Sequence, residues 1–324
     1  ENSAGGHNHI NYNIWTEAWG NTEFSAIEFG NVSYGTRGVF ALGASSPATP
    51  DYIDTMDYFT IGSASAASDF GNLSAARGYL AGVSDGSRGV FGGGSTGGPS
   101  HLDTMDYITI GSTGNATDSN ELTAGRHSFS GTSDGYRGVW IAGSSSPTVV
   151  HQSIDYINIA TTADAVDFFG APTRPAKYSA AMSNNSRGVY SLSYDGAAYI
   201  NNIEYITISS SAGGINFGDM VSAKYALTAF SDGSRGIFSG GFSPAGPAAT
   251  DEIDYFSIGT LGDASDFGNL TQARQYVFGT SNGSRGLTAG GIIPSPAHVD
   301  VIDYITIGVT SATASDFDEL SVIT

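Results

Sequence analysis

Short apolar runs separated by Gly, Asp, Ser and Asn set the rhythm of this 324-residue chain. Tyr79 to Val83, Val90 to Gly93 and Leu102 to Ile110 are typical, and Ser84-Asp85-Gly86-Ser87 divides the first two. No stretch of useful length carries apolar residues at helical spacing. Brief runs rich in β-branched and aromatic residues and bounded by turn formers predict strands. Asp-Gly between two such runs predicts a hairpin closed by a type I′ turn, in which both central residues take positive φ.

The pattern is periodic. Arg-Gly recurs at Arg37, Arg88, Arg137, Arg187, Arg235 and Arg285. An acidic residue followed by Tyr recurs at Asp57, Asp106, Asp155, Glu204, Asp254 and Asp303, and the spacing of about 49 residues falls in the range of repeat architectures. A third element, Asp69-Phe70-Gly71-Asn72-Leu73 leading to Arg77, returns as Asp266-Phe267-Gly268-Asn269-Leu270 leading to Arg274, with looser copies at 118–126, 167–177 and 216–224. Each period thus supplies four short strands: before the Asp-Gly turn, after Arg-Gly, over the acidic-Tyr segment, and near Asp-Phe-Gly-Asn-Leu. Four strands per unit and six units predict an all-β, six-bladed β-propeller.

These units resemble kelch repeats. The residues that carry the resemblance are Gly93-Gly94 at a strand end, Tyr107 in the following strand, and Phe70, Leu73 and Arg77 ahead of the next blade. It covers residues 24–324 and departs from the family in using Phe where Trp is usual and in its uniform Ser-Asp-Gly-Ser-Arg-Gly turn. The resemblance implies kelch-like, four-stranded blades. The first unit starts late and the last stops at Leu320, so the ring is expected to close by N- and C-terminal strands sharing one blade, which hides sheet edges. Residues 1–22, with Trp15 and Trp19, form an expected docking arm outside the repeat; residues 23–324 form the propeller.

Charge narrows the function. With 31 acidic and 12 basic residues the net charge is −19. Such a chain lacks the clustered cations that nucleic acid demands, and anionic membrane surfaces are disfavoured for the same reason. No apolar run approaches a membrane span, and without cysteine there is no thiolate metal site. Within a unit the Arg of Arg-Gly and the acid before Tyr flank one loop. The expectation is therefore a cross-strand pair in every blade: Arg37–Asp57, Arg88–Asp106, Arg137–Asp155, Arg187–Glu204, Arg235–Asp254 and Arg285–Asp303. Arg77, Arg126, Lys177, Lys224 and Arg274 occupy a site before the next turn, and only Arg174 falls outside both sets.

Motifs for chemistry are sparse: no phosphate loop, no Gly-x-Ser-x-Gly, no His-Glu-x-x-His and no Cys nucleophile. His7 and His9 read as a solvated tail and His127 as a strand residue. Gly114 to Asp118 and Gly262 to Asp266 are rich in oxygen ligands that suit calcium, but Asx residues serve turns equally well. No metal site is assigned. The loops joining second and third strands, at 44–52, 95–101, 144–151, 194–199, 242–250 and 292–298, differ most between units. They carry Tyr52, His101, His151, Tyr194, Tyr199 and His298, the candidate binding residues on a diversified face over a regular frame.

The expected function is a non-enzymatic structural or adhesion module of a virion or cell surface, with other surface proteins as partners and a host glycan or protein receptor as ligand. The viral setting comes from a resemblance to kelch-like structural and tail-associated proteins of marine bacteriophages. The alternatives are an intracellular kelch-type interaction scaffold and a propeller glycosidase or oxidase. Galactose-oxidase-like chemistry needs a Cys, and sialidase-like chemistry needs an Arg triad on the loop face.

Overall fold

The computed structural model describes residues 11–13, 24–27, 37–42, 52–63, 66–97, 101–146, 148–246, 249–294 and 297–320; for 11–13, 24–27, 42, 297 and 298 it describes the main chain alone. Six four-stranded antiparallel blades form a β-propeller. Blade 1 runs Phe24–Ile27, Arg37–Leu42, Thr55–Thr60, Ser68–Asn72; blade 2 runs Ala81–Ser84, Arg88–Ser95, His101–Thr109, Thr117–Glu121. Blades 3 to 6 begin at Ser130–Ser133, Ala181–Ser183, Thr228–Ser231 and Phe278–Ser281, and blade 6 ends at Ser315–Glu319.

Each blade is consecutive in sequence, so no blade is shared between the chain ends. The ring closes instead by joining two whole blades: Phe40 of blade 1 packs edge-on against Phe278 of blade 6, 4.9 Å between centroids, and the Arg285 guanidinium donates to the Ile61 carbonyl at 3.3 Å. Asn11–Asn13, in the expected arm, pairs with Ala181–Ser183 of blade 4 on one side and with Ile27 of blade 1 on the other. This strand therefore lies at the axis, approaching the innermost strands of all six blades.

Composition follows distance from the axis. Innermost strands such as Ser130-Gly131-Thr132-Ser133 are small and wholly buried, because six strands converge there. Fourth strands such as Ser265–Asn269 turn only one residue, Phe267, inward. The Gly of Arg-Gly marks a close approach between blades: a Cβ on Gly188 would lie 2.8 Å from Thr132 Cγ2 of the preceding blade, and one on Gly138 would lie 2.5 Å from Val83 Cγ2. At the same interface, Trp140 is fully buried and its indole N–H donates to the Ala81 carbonyl at 3.0 Å. Its burial contributes about 3 kcal/mol.

The hairpin between first and second strands is wider than a two-residue I′ turn. Ser84 pairs with Gly89, Gly86 alone of the central pair has positive φ, and the Asp85 carboxylate accepts the N–H groups of Ser87 and Arg88 at 2.8 and 2.7 Å. At this end of the channel the inner strands of blades 2 to 6 all end in Ser, and the hydroxyls run in relay: Ser133 to the Ser84 carbonyl, Ser183 to Ser133, Ser231 to Ser183, and Ser281 to Ser231, at 2.6 to 2.9 Å.

Candidate functional site

The repeated charges sort into two systems, neither of them the expected cross-strand pair. The register sets Arg88 opposite Thr109 and Phe91 opposite Asp106. Because successive residues of a strand face opposite sides, Asp106 and Arg88 point away from each other. Arg88 shares its side with Tyr107, two positions from its partner, and lies over that ring at 3.8 Å. Arg37, Arg137, Arg187, Arg235 and Arg285 lie likewise over Tyr58, Tyr156, Tyr205, Tyr255 and Tyr304, at 4.3 to 4.9 Å. Each then donates across the blade boundary to an Ile carbonyl: Arg37 to Ile110, Arg88 to Ile159, Arg137 to Ile208, Arg187 to Ile258, Arg235 to Ile307 and Arg285 to Ile61, at 2.6 to 3.3 Å. A cation over a π-face gives about 0.5–2 kcal/mol, and six such groups staple the ring.

The acids Asp57, Asp106, Asp155, Glu204, Asp254 and Asp303 are all buried. Four of them meet the cation that precedes the blade: Arg77–Asp106 at 3.1 Å, Arg126–Asp155 at 2.6 Å, Lys224–Asp254 at 3.0 Å and Arg274–Asp303 at 2.8 Å. A hydroxyl and an N–H of one residue complete the shell of Asp106, Asp155 and Asp303, as Thr271 does for Asp303 at 2.6 and 3.0 Å, whereas among the described residues Asp254 receives only the Val221 N–H at 3.3 Å. Burial pushes the Asp254 carboxyl up to about 7 against the pull of Lys224.

Blade 4 departs from this scheme. Aligning Thr173-Arg174-Pro175-Ala176-Lys177-Tyr178 with Thr271-Gln272-Ala273-Arg274-Gln275-Tyr276 puts Ala176, not Lys177, at the cation position. Glu204 takes the Tyr190 hydroxyl at 2.8 Å and the Thr173 hydroxyl and N–H instead. Burial, then the Glu204 charge, holds the Tyr190 phenol well above its ordinary pKa, so it remains a donor.

Lys177 thereby joins a second set of equivalent positions, Gly78, His127, Lys177, Tyr225 and Gln275, each bridged to the end of a second strand at Ser95, Ser144, Tyr194, Phe242 and Ile292. The next residues, Tyr79, Ser128, Tyr178, Ala226 and Tyr276, all have φ between 55 and 62°. That conformation is uncommon without Gly, and main-chain bonds hold it: Ser128 N–H to the Tyr79 carbonyl, Tyr178 to Ser128, and Tyr276 to Ala226. These residues ring the loop-face mouth.

Several of the sequence candidates meet here. Tyr194 and Tyr199 lie 5.0 Å apart, and Tyr199, 41% exposed, stacks on Tyr225 at 5.1 Å and 12°. Tyr178 and Phe242 extend the group, each 5.0 Å from Tyr225. On the other flank the His101 and His127 rings lie 4.1 Å apart, Tyr79 touches His127 at 5.4 Å, and Tyr52 touches Tyr79 at 6.4 Å. Burial, with His101, Lys177 and His151 nearby, drives the His127 pKa to about 3; burial also lowers His101 and His151. The three rings are therefore neutral at neutral pH. The side chain of His298 and residues His7 and His9 lie outside the described residues.

The aspartate- and asparagine-rich loops have an architectural task. Asn115, Asp164 and Asp263 accept the N–H of Asn72, Glu121 and Asp219 from the outermost strand of the preceding blade, which occupies an otherwise open edge. Among the described residues no group of three or more His, Asp or Glu is arranged to hold a metal.

No protein-family model and no curated protein matches the chain. In fold it is similar to YjhT, with a TM-score of 0.70 over 86% of this chain and 94% of that one, at 10% identity. So low an identity carries the propeller architecture and nothing of activity.

Proposed function

We propose that this chain is a non-enzymatic binding module of a virion or cell surface that holds a glycan on its loop face. The observation that carries the reading is the aromatic shelf of Tyr194, Tyr199 and Tyr225, with Tyr199 exposed and stacked at the mouth of the ring. Flat apolar rings beside a few polar groups suit a sugar, which presents an apolar face edged by hydroxyls. The kelch-like repeats and the resemblance to tail-associated phage proteins support the particle setting. Strongly perturbed ionisable groups usually mark a catalytic centre, but here Arg77, Tyr190, Asp254 and Arg274 belong to the buried charge ladder. His127, at about 3, is far from the pKa at which a general base works near neutrality.

A glycan array probed with the wild-type chain and with Tyr199→Ala tests this reading. Binding that the variant loses at least tenfold, with melting unchanged, is the expected result. An array blank for the wild type, or equal binding by the variant, overturns it; protein capture in its place would assign the face to a protein partner.

A further inference from the structure

We propose that the saccharide held on the loop face is anionic and that Lys177 receives its carboxylate or sulfate. This rests on the glycan reading and adds the ligand's charge. Lys177 is 5% exposed, and among the described residues its ammonium meets no carboxylate, carbonyl or hydroxyl. Its neighbours are the rings of Tyr178 and Tyr194, at 5.1 and 5.7 Å. Every other lysine or arginine of the connections leading into blades 2, 3, 5 and 6 that sits at the ladder position is paired with a buried acid. Lys177 has no such acid because it stands one residue beyond that position and because Tyr190 and Thr173 already satisfy Glu204.

The two aromatic faces satisfy the ammonium only in part, and a cation held beside them without a counter-charge gains from an anionic partner. An anion from the ligand supplies the rest. The cation also belongs to the shelf: Tyr194, which it faces, packs on Tyr199, and Tyr178 packs on Tyr225. The neutral histidines alongside add no positive charge but offer hydrogen bonds. His127 bonds through Nδ1 to the Ser128 hydroxyl and His151 through Nε2 to that of Ser145, both at 2.7 Å, whereas the buried Nδ1 of His101 has no partner. At the equivalent position in blade 6, Oε1 of Gln275 is likewise buried without one. A cation with two idle hydrogen-bonding groups beside an aromatic shelf suits a sugar acid or sugar sulfate. The net charge of −19 repels polyanions at long range, but salt screens exposed charges beyond about 8–10 Å while leaving direct contacts.

Titration calorimetry in about 0.15 M salt with galacturonate oligomers, their methyl esters and a sulfated galactose oligomer tests the assignment. At least one charged oligomer is expected to bind tenfold or more tightly than the ester; the tighter of the two identifies carboxylate or sulfate. Lys177→Met is expected to abolish that preference, bringing the charged oligomer down to the affinity the same variant shows for the ester, and Lys177→Arg to keep it. Equal binding of acid, sulfate and ester by the wild type, or a preference that survives Lys177→Met, overturns the anionic site and leaves the glycan reading standing. Binding of none of the three, with a blank glycan array, overturns both. Should Lys177→Met melt early, the ester comparison on the wild type and the Lys177→Arg variant decide the matter.

Discussion

Blades 4 and 6 solve one problem in two ways. Each buries a carboxylate in its third strand, opposite the fourth residue of the second strand. In blade 6 that acid is Asp303, and Arg274 covers it while also donating to the carbonyls of Gly290 and Val301 at 2.8 and 2.7 Å. In blade 4 the acid is Glu204, one methylene longer, and a tyrosine stands where blade 6 has Thr288. Tyr190 fills the space and supplies the hydrogen bond without charge. A buried acid can thus be satisfied by a salt bridge or by neutral donors, and the neutral solution leaves Lys177 at the ring mouth without an acid of its own.

The largest expected effect breaks the charged version. Arg274→Ala leaves Asp303 buried with Thr271 alone and is expected to cost about 3–5 kcal/mol, read from the denaturant midpoint. Adding Thr288→Tyr and Asp303→Glu to that variant rebuilds the blade 4 arrangement and is expected to recover about 1–3 kcal/mol; a triple variant no more stable than the single would show that the two solutions are not interchangeable. Tyr190→Phe, which deletes one donor to Glu204, is expected to cost about 1–3 kcal/mol.

Acid acts on the loop face through His127. Its folded pKa of about 3 lies below its ordinary 6.5, so the unfolded chain binds the extra proton between those values. The stability this neutral ring contributes is present above pH 6.5 and lost as pH falls towards 3. His127→Gln is expected to flatten that part of the stability profile, and an unchanged slope would count against the burial argument. Smallest of all is Lys177→Met, expected to stay within about 0.5 kcal/mol of wild type or above it, since no acid is orphaned. Lys224→Met, which strips Asp254 of its cation, should lose far more. Equal losses would make Lys177 a member of the ladder.

Part of the site was legible in the chain. His101, His151, Tyr194 and Tyr199 stood out because they interrupt loops that vary between otherwise regular units, and they do lie on one face. Tyr79, Tyr178 and Tyr225 were not singled out and His127 was read as a strand residue, because all four follow the repeated cation and look like the start of the next strand. The available signal was the alignment of Gly78, His127, Lys177, Tyr225 and Gln275 immediately after the ladder position, which a one-residue slip in blade 4 concealed. That slip also grouped Lys177 with the buried cations.

Short apolar runs, turn residues and a recurring unit were enough to determine six blades of four strands, because the runs and turns act over a few residues of chain and local chemistry settles them. Partnership was decided elsewhere. Arg88 meets a carbonyl 71 residues on, and Arg285 one 224 residues back, while Asp106 meets a cation from the preceding connection rather than the arginine across its own hairpin. Which face a side chain takes depends on strand register, and which neighbour fills that face depends on how blades pack around the axis. Only the closed ring brings those groups together.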